Sequence, residues 1–133
     1  MTQNQNAVAQ ISNVVKEVRK NTFDLEDRTL AFAKCVIHLC QGVPKNTINH
    51  ELVSQLVRAS GSVGANYREA NDALSKKDFS HRIKIAQREA KEAHYWLQLL
   101  REANQDVDHK IGNLIQEALE LKKILAAISS RSR

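Results

Sequence analysis

A row of basic residues makes the stretch from 76 to 91 the part of the sequence best suited to contact phosphate. Its members are spaced by four and three, so on an α-helix they share one face. This basic ridge consists of Lys77, His81, Lys84, Arg88 and Lys91. With the flanking Lys76 and Arg82, these are our candidate nucleic-acid-binding residues, because a line of cations can follow phosphates without reading sequence. The alternative is a solvated face, partly balanced by nearby acidic residues.

A second group of residues lies beside the apolar seam of the same predicted helix. Ile85, Trp96 and Leu99 widen its apolar face, with Glu89 and Glu92 between them. Tryptophan is enriched in protein interfaces, so a subunit contact is one interpretation. The other is the wide core face of an ordinary bundle helix.

Metal and nucleophilic chemistry find little support in the sequence. Asp78 and His81, and Asp106 and His109, have a three-residue spacing, but each pair starts at a predicted helix boundary. The paired Glu-x-x-His motifs of di-iron bundles and the Cys-x-x-Cys motifs of zinc sites are absent. The segment around Ser62 resembles a nucleophile elbow but lies in a helical pattern and lacks its first glycine. We therefore predict no metal, no cofactor and no enzymatic activity.

The bulk composition indicates one helical domain. The chain has 133 residues with one proline, four glycines and 5% aromatic residues, a balance that favours helices over sheets. A formal net charge of +5 permits an anionic partner without requiring one. Cys35 and Cys40 are five positions apart in a helical pattern, a poor geometry for a disulfide, and indicate reduced thiols. Neither a signal peptide nor a membrane span is predicted, which favours the cytoplasm.

Four helices are expected, and they define the positions of these groups. The apolar spacing allows either one first helix over about 7–40, or a short leading helix and a fresh start at Leu25 capped by Thr22 or Asp24. Seams that alternate steps of four and three run over 52–73 and 79–100, and a fourth helix is expected from about 111 to 128. Short connections make sequential helices antiparallel, so the fold class is all-α, an up-down four-helix bundle. The predicted organisation is an N-terminal tail or short extra helix over 1–22, the bundle over 23–130 and a basic C-terminal tail over 131–133.

The second predicted helix is rich in small residues near its middle. Gly61 and Gly64 lie there, and each costs a helix about 1 kcal/mol relative to alanine. That cost predicts either a close approach by another helix or a local kink.

The stretch from Gln55 to Leu100 resembles the family of 23S rRNA-intervening sequence proteins. The matching parts stand in order along the sequence: QLVRA at 55–59, SVGANY-x-EA at 62–70, S-x-x-DF at 75–79, IA-x-x-EA-x-E at 85–92 and YWL at 95–97. Leu25 to Leu39 and Pro44 also fit the first helix and loop of that family, whereas nothing transfers to 1–22.

The resemblance implies a four-helix protomer of a ring-like homopentamer. It also implies kinship with the accessory variability determinant of diversity-generating retroelements, a basic pentamer that binds nucleic acid and a reverse transcriptase. Ion pairs between helices or subunits are expected between the acidic Glu69, Glu89 and Glu92 and basic residues such as Arg58 and Arg68. Such pairs would set register more than stability. The candidate subunit-interface residues are Arg58, Tyr67, Arg68, Glu69, Ile85, Glu89, Glu92, Trp96 and Leu99.

These observations lead to one expected function and two rivals. We expect a non-enzymatic, homo-oligomeric accessory protein that binds RNA or DNA through its basic surface, with a reverse transcriptase as one partner. The first rival is a protein-interaction scaffold whose basic face meets an acidic protein. The second is a nuclease, which the missing acidic cluster disfavours.

Overall fold

The computed structural model describes residues 24–131, with the backbone alone at 107–109. Four helices make up the fold, and no strand occurs within the described range: α1 spans Leu25–Gly42, α2 Thr47–Asn71, α3 Lys76–Ala103 and α4 Asp108–Arg131. A short 3₁₀ helix at Gln105–Val107 joins the last two. The all-α four-helix architecture is confirmed. The predicted tail or extra helix over 1–22 lies outside the described residues.

Polar side chains cap the first three helices and fix where each begins. Asp24 accepts hydrogen bonds from the backbone N–H groups of Glu26 and Asp27, which makes it the cap of α1. Asn46 and Ser75 accept in the same way at the starts of α2 and α3. Each cap satisfies backbone donors that the first turn leaves unpaired.

Each helix packs against its neighbours in sequence, and α4 also packs on α1, which completes the four-helix bundle. This is the predicted up-down arrangement. The interior is built mainly from leucine, isoleucine, valine and alanine on the predicted seams. Its largest fully buried side chains include Phe32, Leu56, Ile83, Leu97, Leu121 and Leu125.

The close approach predicted for the second helix occurs at Gly64. A Cβ atom there would lie 2.8 Å from the Thr29 hydroxyl oxygen of α1 and 3.2 Å from its Cβ. At Gly61 a Cβ atom would meet no heavy atom within 4 Å. One of the two glycines therefore permits the packing of α1 on α2, and the other faces open space.

An ion pair reinforces the contact between α1 and α4, which is less extensive than the other contacts between neighbouring helices of the bundle. Both Arg28 Nε and Arg28 Nη2 donate to the Glu117 carboxylate at 2.8 Å, and Glu120 lies 3.6 Å from the same guanidinium. The hydrogen bonds to Glu117 raise the pKa of Arg28 although partial burial opposes them. The two-point geometry orients both side chains as well as attracting them.

The last helix differs from its prediction at both ends. Its backbone starts at Asp108, a turn before the expected Ile111, and continues to Arg131. The residues just after Ile128 therefore belong to the helix, and Ser129 is buried. The seam of α2 also ends earlier than predicted, because the helix stops at Asn71 and Ala73 lies beyond it.

Candidate nucleic-acid interface

All five residues of the basic ridge are exposed on α3. Lys77, Lys84 and Lys91 follow one another at intervals of seven residues, or two helical turns. Lys76 is also exposed. Arg82 is half-buried, and its Nη1 lies 3.4 Å from Asn66 Oδ1 on α2, at the edge of the ridge rather than on it.

Positive charge continues from the ridge towards α4. Gln87, His94 and Arg101 form the next row of α3, and all three are half-buried. Lys122 of α4 is close enough to His94 to influence its titration, which shows that this row faces α4. The pKa of His94 is lowered by burial and by the positive charges of Lys122 and Arg101.

The surface between these two helices has no acidic residue where side chains are described. The α3 rows at 77, 84, 91 and 98 and at 80, 87, 94 and 101 contain none, nor do positions 112, 119 and 126 or 115, 122 and 129 of α4. The α4 residues at 112, 119 and 126 are Gly112, Leu119 and Ala126, which carry no charge. This α3–α4 face combines the basic ridge with His94, Arg101 and Lys122, and sequence analysis had identified only its ridge.

An aromatic ring follows the ridge along the helix. Tyr95 is seven residues beyond Arg88, is 55% exposed, and packs edge-on against Trp96 with ring centroids 5.3 Å apart. Exposed aromatic rings beside cations offer a stacking surface for unpaired bases. Glu102 continues the same row, so positive charge ends there. Extending the alternating steps of four and three past Lys91 reaches Tyr95, and this is the sequence signal that would have identified it.

The opposite flank of α3 faces α2. Arg82, Glu89 and Trp96 repeat every seven residues, and the contact of Arg82 with Asn66 places this row on the α2 side. Glu89 is 7% exposed, and neither Glu89 Oε2 nor Trp96 Nε1 has a hydrogen-bond partner among the described residues. Glu89 of this row is thus buried within the chain, as the core-face interpretation of the sequence expects, and the subunit contact stays a prediction.

The structure separates the other predicted interface residues into two groups. Ile85, Glu92 and Leu99 are half-buried on the same flank of α3, and Arg58 and Glu69 are exposed on α2. Arg68 instead lies 3.6 Å from Glu26 of α1, and Tyr67 packs partly buried against the core. Arg68 thus contacts α1 within the chain, and Tyr67 packs on the core of the same chain.

Exposed apolar side chains lie mainly elsewhere, on α1 and α2. Leu30 and Ile37 are 41% and 43% exposed and are seven residues apart on α1, while Val57 of α2 is 37% exposed. Sequence analysis had not selected them, because their helices read as ordinary amphipathic segments. They extend the candidate contact surface beyond the flank that contains Trp96.

The remaining chemistry of the described residues is sparse. Among the side chains described at 24–106 and 110–131, no three histidine, cysteine or acidic residues come together as metal ligands. Burial raises the pKa of Cys35 to about 11 and that of Cys40 to about 12, so both are poor nucleophiles at neutral pH. No helix in this range combines the length and apolar character needed to cross a bilayer.

Comparison with known proteins agrees with the resemblance in the α2–α3 motifs. Residues 21–127 match the family described as 23S rRNA-intervening sequence protein. The chain belongs to this family. A crystal structure of a protein of unknown function from the S23 ribosomal protein family of Bacteroides thetaiotaomicron is 30% identical, with a TM-score of 0.72. That similarity covers 80% of this chain and 98% of the other. None of the curated proteins matches. The family match includes all of the basic ridge and all of the α2-facing row.

Proposed function

We propose that this 23S rRNA-intervening sequence protein is a non-enzymatic accessory protein that binds RNA or DNA through its α3–α4 face and acts in the cytoplasm. The observation that supports this most strongly is the surface formed by the basic ridge together with His94, Arg101 and Lys122, between whose helices the described side chains include no acid. Cations concentrated on one face, with acids kept to other faces, favour a polyanion over a small ligand.

The residues of this face fit contact with the phosphate backbone better than readout of bases. Lysine predominates, and its ammonium group meets a phosphate as a point charge rather than through two matched hydrogen bonds. Tyr95 supplies a ring on which any base can stack. The expected ligand is therefore a single strand or flexible RNA, bound with little sequence preference.

We further propose that the protein assembles into a homo-oligomer, a pentamer by resemblance. Support comes from the exposed apolar side chains of Leu30, Ile37 and Val57, which a solitary bundle does not require. Light scattering at micromolar concentration gives the oligomer mass. A monomer mass throughout would contradict the assembly without affecting the proposed binding face.

Charge reversal at Glu89 gives a second test of assembly. Glu89→Lys is expected to reduce the oligomer mass if the flank of α3 contributes to the contact. Because Glu89 is buried, circular dichroism must show that the variant is folded. A folded variant of unchanged mass would exclude this flank from the interface.

A direct binding experiment tests the main proposal. Fluorescence anisotropy with labelled single-stranded RNA and double-stranded DNA at low salt should detect complexes whose affinity falls steeply as salt rises. Absence of binding to both would refute it. The narrower proposal, association with a reverse transcriptase, follows only from the resemblance to the accessory variability determinant, and co-purification with a reverse transcriptase encoded nearby would test it.

The same face also fits the rival role, in which the ligand is an acidic protein. Recovery of one stoichiometric acidic protein, with no nucleic acid and no binding to RNA or DNA in the anisotropy assay, would favour that role. Both roles use the ridge, so the two experiments together decide between them.

A further inference from the structure

Tyr95 ends the row of exposed cations that runs along α3. It follows Arg88 by seven residues and Lys91 by four, so the three side chains lie on one stripe of the helix. The ring of Tyr95 is 55% exposed and packs edge-on against Trp96, with centroids 5.3 Å apart and planes at 77°. Because Trp96 also packs against the core, this contact anchors an exposed ring to a fixed part of the fold.

The cations of the basic ridge do not by themselves distinguish one kind of nucleic acid from another. Phosphates line single strands and duplexes alike, and a duplex carries more of them per unit length. A row of lysines alone is therefore expected to bind a duplex at least as well as a single strand. A group that meets the face of a base reverses this order, because base faces are open in a single strand and covered by neighbouring pairs in a duplex. Tyr95 supplies such a group at the end of the ridge.

The stripe of cations also has a definite length. From Lys77 to Tyr95 the helix rises about 27 Å, at about 1.5 Å per residue. A stacked strand advances about 3.4 Å per nucleotide, so at most about eight nucleotides fit along this stripe, and fewer when the strand is extended. Glu102 is exposed two turns beyond Tyr95 on the same stripe, so negative charge closes that end to phosphates.

We propose that Tyr95 makes this face select single strands over duplexes, and that it stacks on the base at one end of a site for about four to eight unpaired nucleotides. The phosphates of the same strand lie along Lys77, Lys84, Arg88 and Lys91. The inference rests on the proposed function and adds a residue that determines specificity, a strand class and a footprint.

Selectivity is tested by fluorescence anisotropy with single-stranded RNA and with duplex RNA of the same length, at one salt concentration. The wild-type chain should bind the single strand more tightly. Tyr95→Leu keeps an apolar side chain but removes the ring, so it should weaken single-strand binding by about fivefold or more and leave duplex binding unchanged. Tyr95→Phe should keep the preference. Leu74→Ala truncates a fully exposed side chain outside α3 and is the control, with no expected effect.

The outcomes separate this inference from the proposed function. Equal affinity of the wild-type chain for the two ligands, or an equal effect of Tyr95→Leu on both, overturns the selectivity and leaves the proposed function standing. Absence of binding to either nucleic acid refutes the proposed function itself.

A measurement on the unaltered protein tests the footprint and the position of the stacked base. Over RNA lengths from about two to about twelve nucleotides, affinity should rise up to about eight nucleotides and then level off. 2-Aminopurine, placed in turn at each position of an RNA of that length, should change its fluorescence mainly at one end, where the base stacks on Tyr95. Affinity that rises through the whole series, or an equal fluorescence change at every position, overturns this placement.

Two variants that each raise the net charge by one test whether Glu102 closes the site. Glu102→Gln removes the acid at the end of the stripe and should move the levelling-off to longer RNA. Gln41→Lys adds the same charge at an exposed position of α1, outside this face, and should leave that length unchanged. The same length in both variants overturns the role of Glu102.

Discussion

The side chains of Asn49 and Asn104 exchange two hydrogen bonds across one end of the bundle. Asn49 Nδ2 donates to Asn104 Oδ1 at 2.9 Å, and Asn104 Nδ2 donates to Asn49 Oδ1 at 2.8 Å. Each amide also donates to a backbone carbonyl, that of Pro44 or that of Leu100. The pair therefore joins the first turn of α2 to the residue that ends α3, with both amides buried and satisfied.

Removing either amide of this pair should destabilise the fold, and removing both should cost less than the sum of the two single losses. Asn49→Ala or Asn104→Ala leaves a buried amide without its partner, at a cost of about 1–3 kcal/mol in the free energy of unfolding. The double variant should lose less than the sum, with a coupling of about 0.5 kcal/mol or more. Urea denaturation of the four proteins measures this, and additive losses would show that the pair does not act as a unit.

The two glycines of α2 should respond to alanine in opposite directions. Gly64→Ala places a methyl group against Thr29 and is expected to cost about 1–3 kcal/mol. Gly61→Ala meets open space and should stabilise the helix by up to about 1 kcal/mol. Thermal unfolding checks both. Partial recovery of Gly64→Ala by Thr29→Ala would identify the clash, and a stable Gly64→Ala would disprove the close contact.

The Arg28–Glu117 ion pair should contribute more than the exposed pair of Arg68 and Glu26. Side chains of the first pair are 17% and 25% exposed and bond at 2.8 Å, whereas those of the second are 50% and 43% exposed and lie 3.6 Å apart. Double-mutant cycles to alanine should give about 1 kcal/mol or more for the first and under about 0.5 kcal/mol for the second. Equal couplings would mean that the bidentate geometry adds nothing.

Neutralising the basic ridge should change the salt dependence of nucleic-acid binding. Lys84→Gln and Lys91→Gln should each reduce the slope of log affinity against log salt by about 1. Lys34→Gln removes an exposed cation from α1 and serves as the matched control. Equal slopes for the ridge and control variants would show that the ridge does not contact phosphate.

The two thiols should be unreactive while the protein is folded. Burial raises the pKa of Cys35 to about 11 and that of Cys40 to about 12, from 9.0. Because the folded pKa values are raised, the neutral thiols contribute stability below pH 9 that is lost as pH rises towards those values. Iodoacetamide at pH 8, followed by mass spectrometry, should modify both slowly in the native protein and rapidly in urea. Similar rates in both states would contradict this burial.

Helical period alone identified the seams and the outward direction of the basic ridge. Asp24 caps a helix that begins at Leu25, one of the alternatives that the sequence left open, because a cap depends on neighbours in the sequence. Asn104 shows the limit of such local reading. Asn104 lies between the seam predicted to end at 100 and the helix expected from about 111, yet it is buried, because its amide meets a residue 55 positions away.

Sequence by itself determined which residues share a face of each helix, since a period of 3.6 residues fixes that. It did not determine which helix each face meets, because that depends on how the four helices are placed around the core. Only the tertiary structure put Lys122 beside His94, Glu117 against Arg28 and the row of Glu89 and Trp96 on the α2 side. The sequence identified the basic ridge, whereas its extension onto α4 could be identified only from the fold.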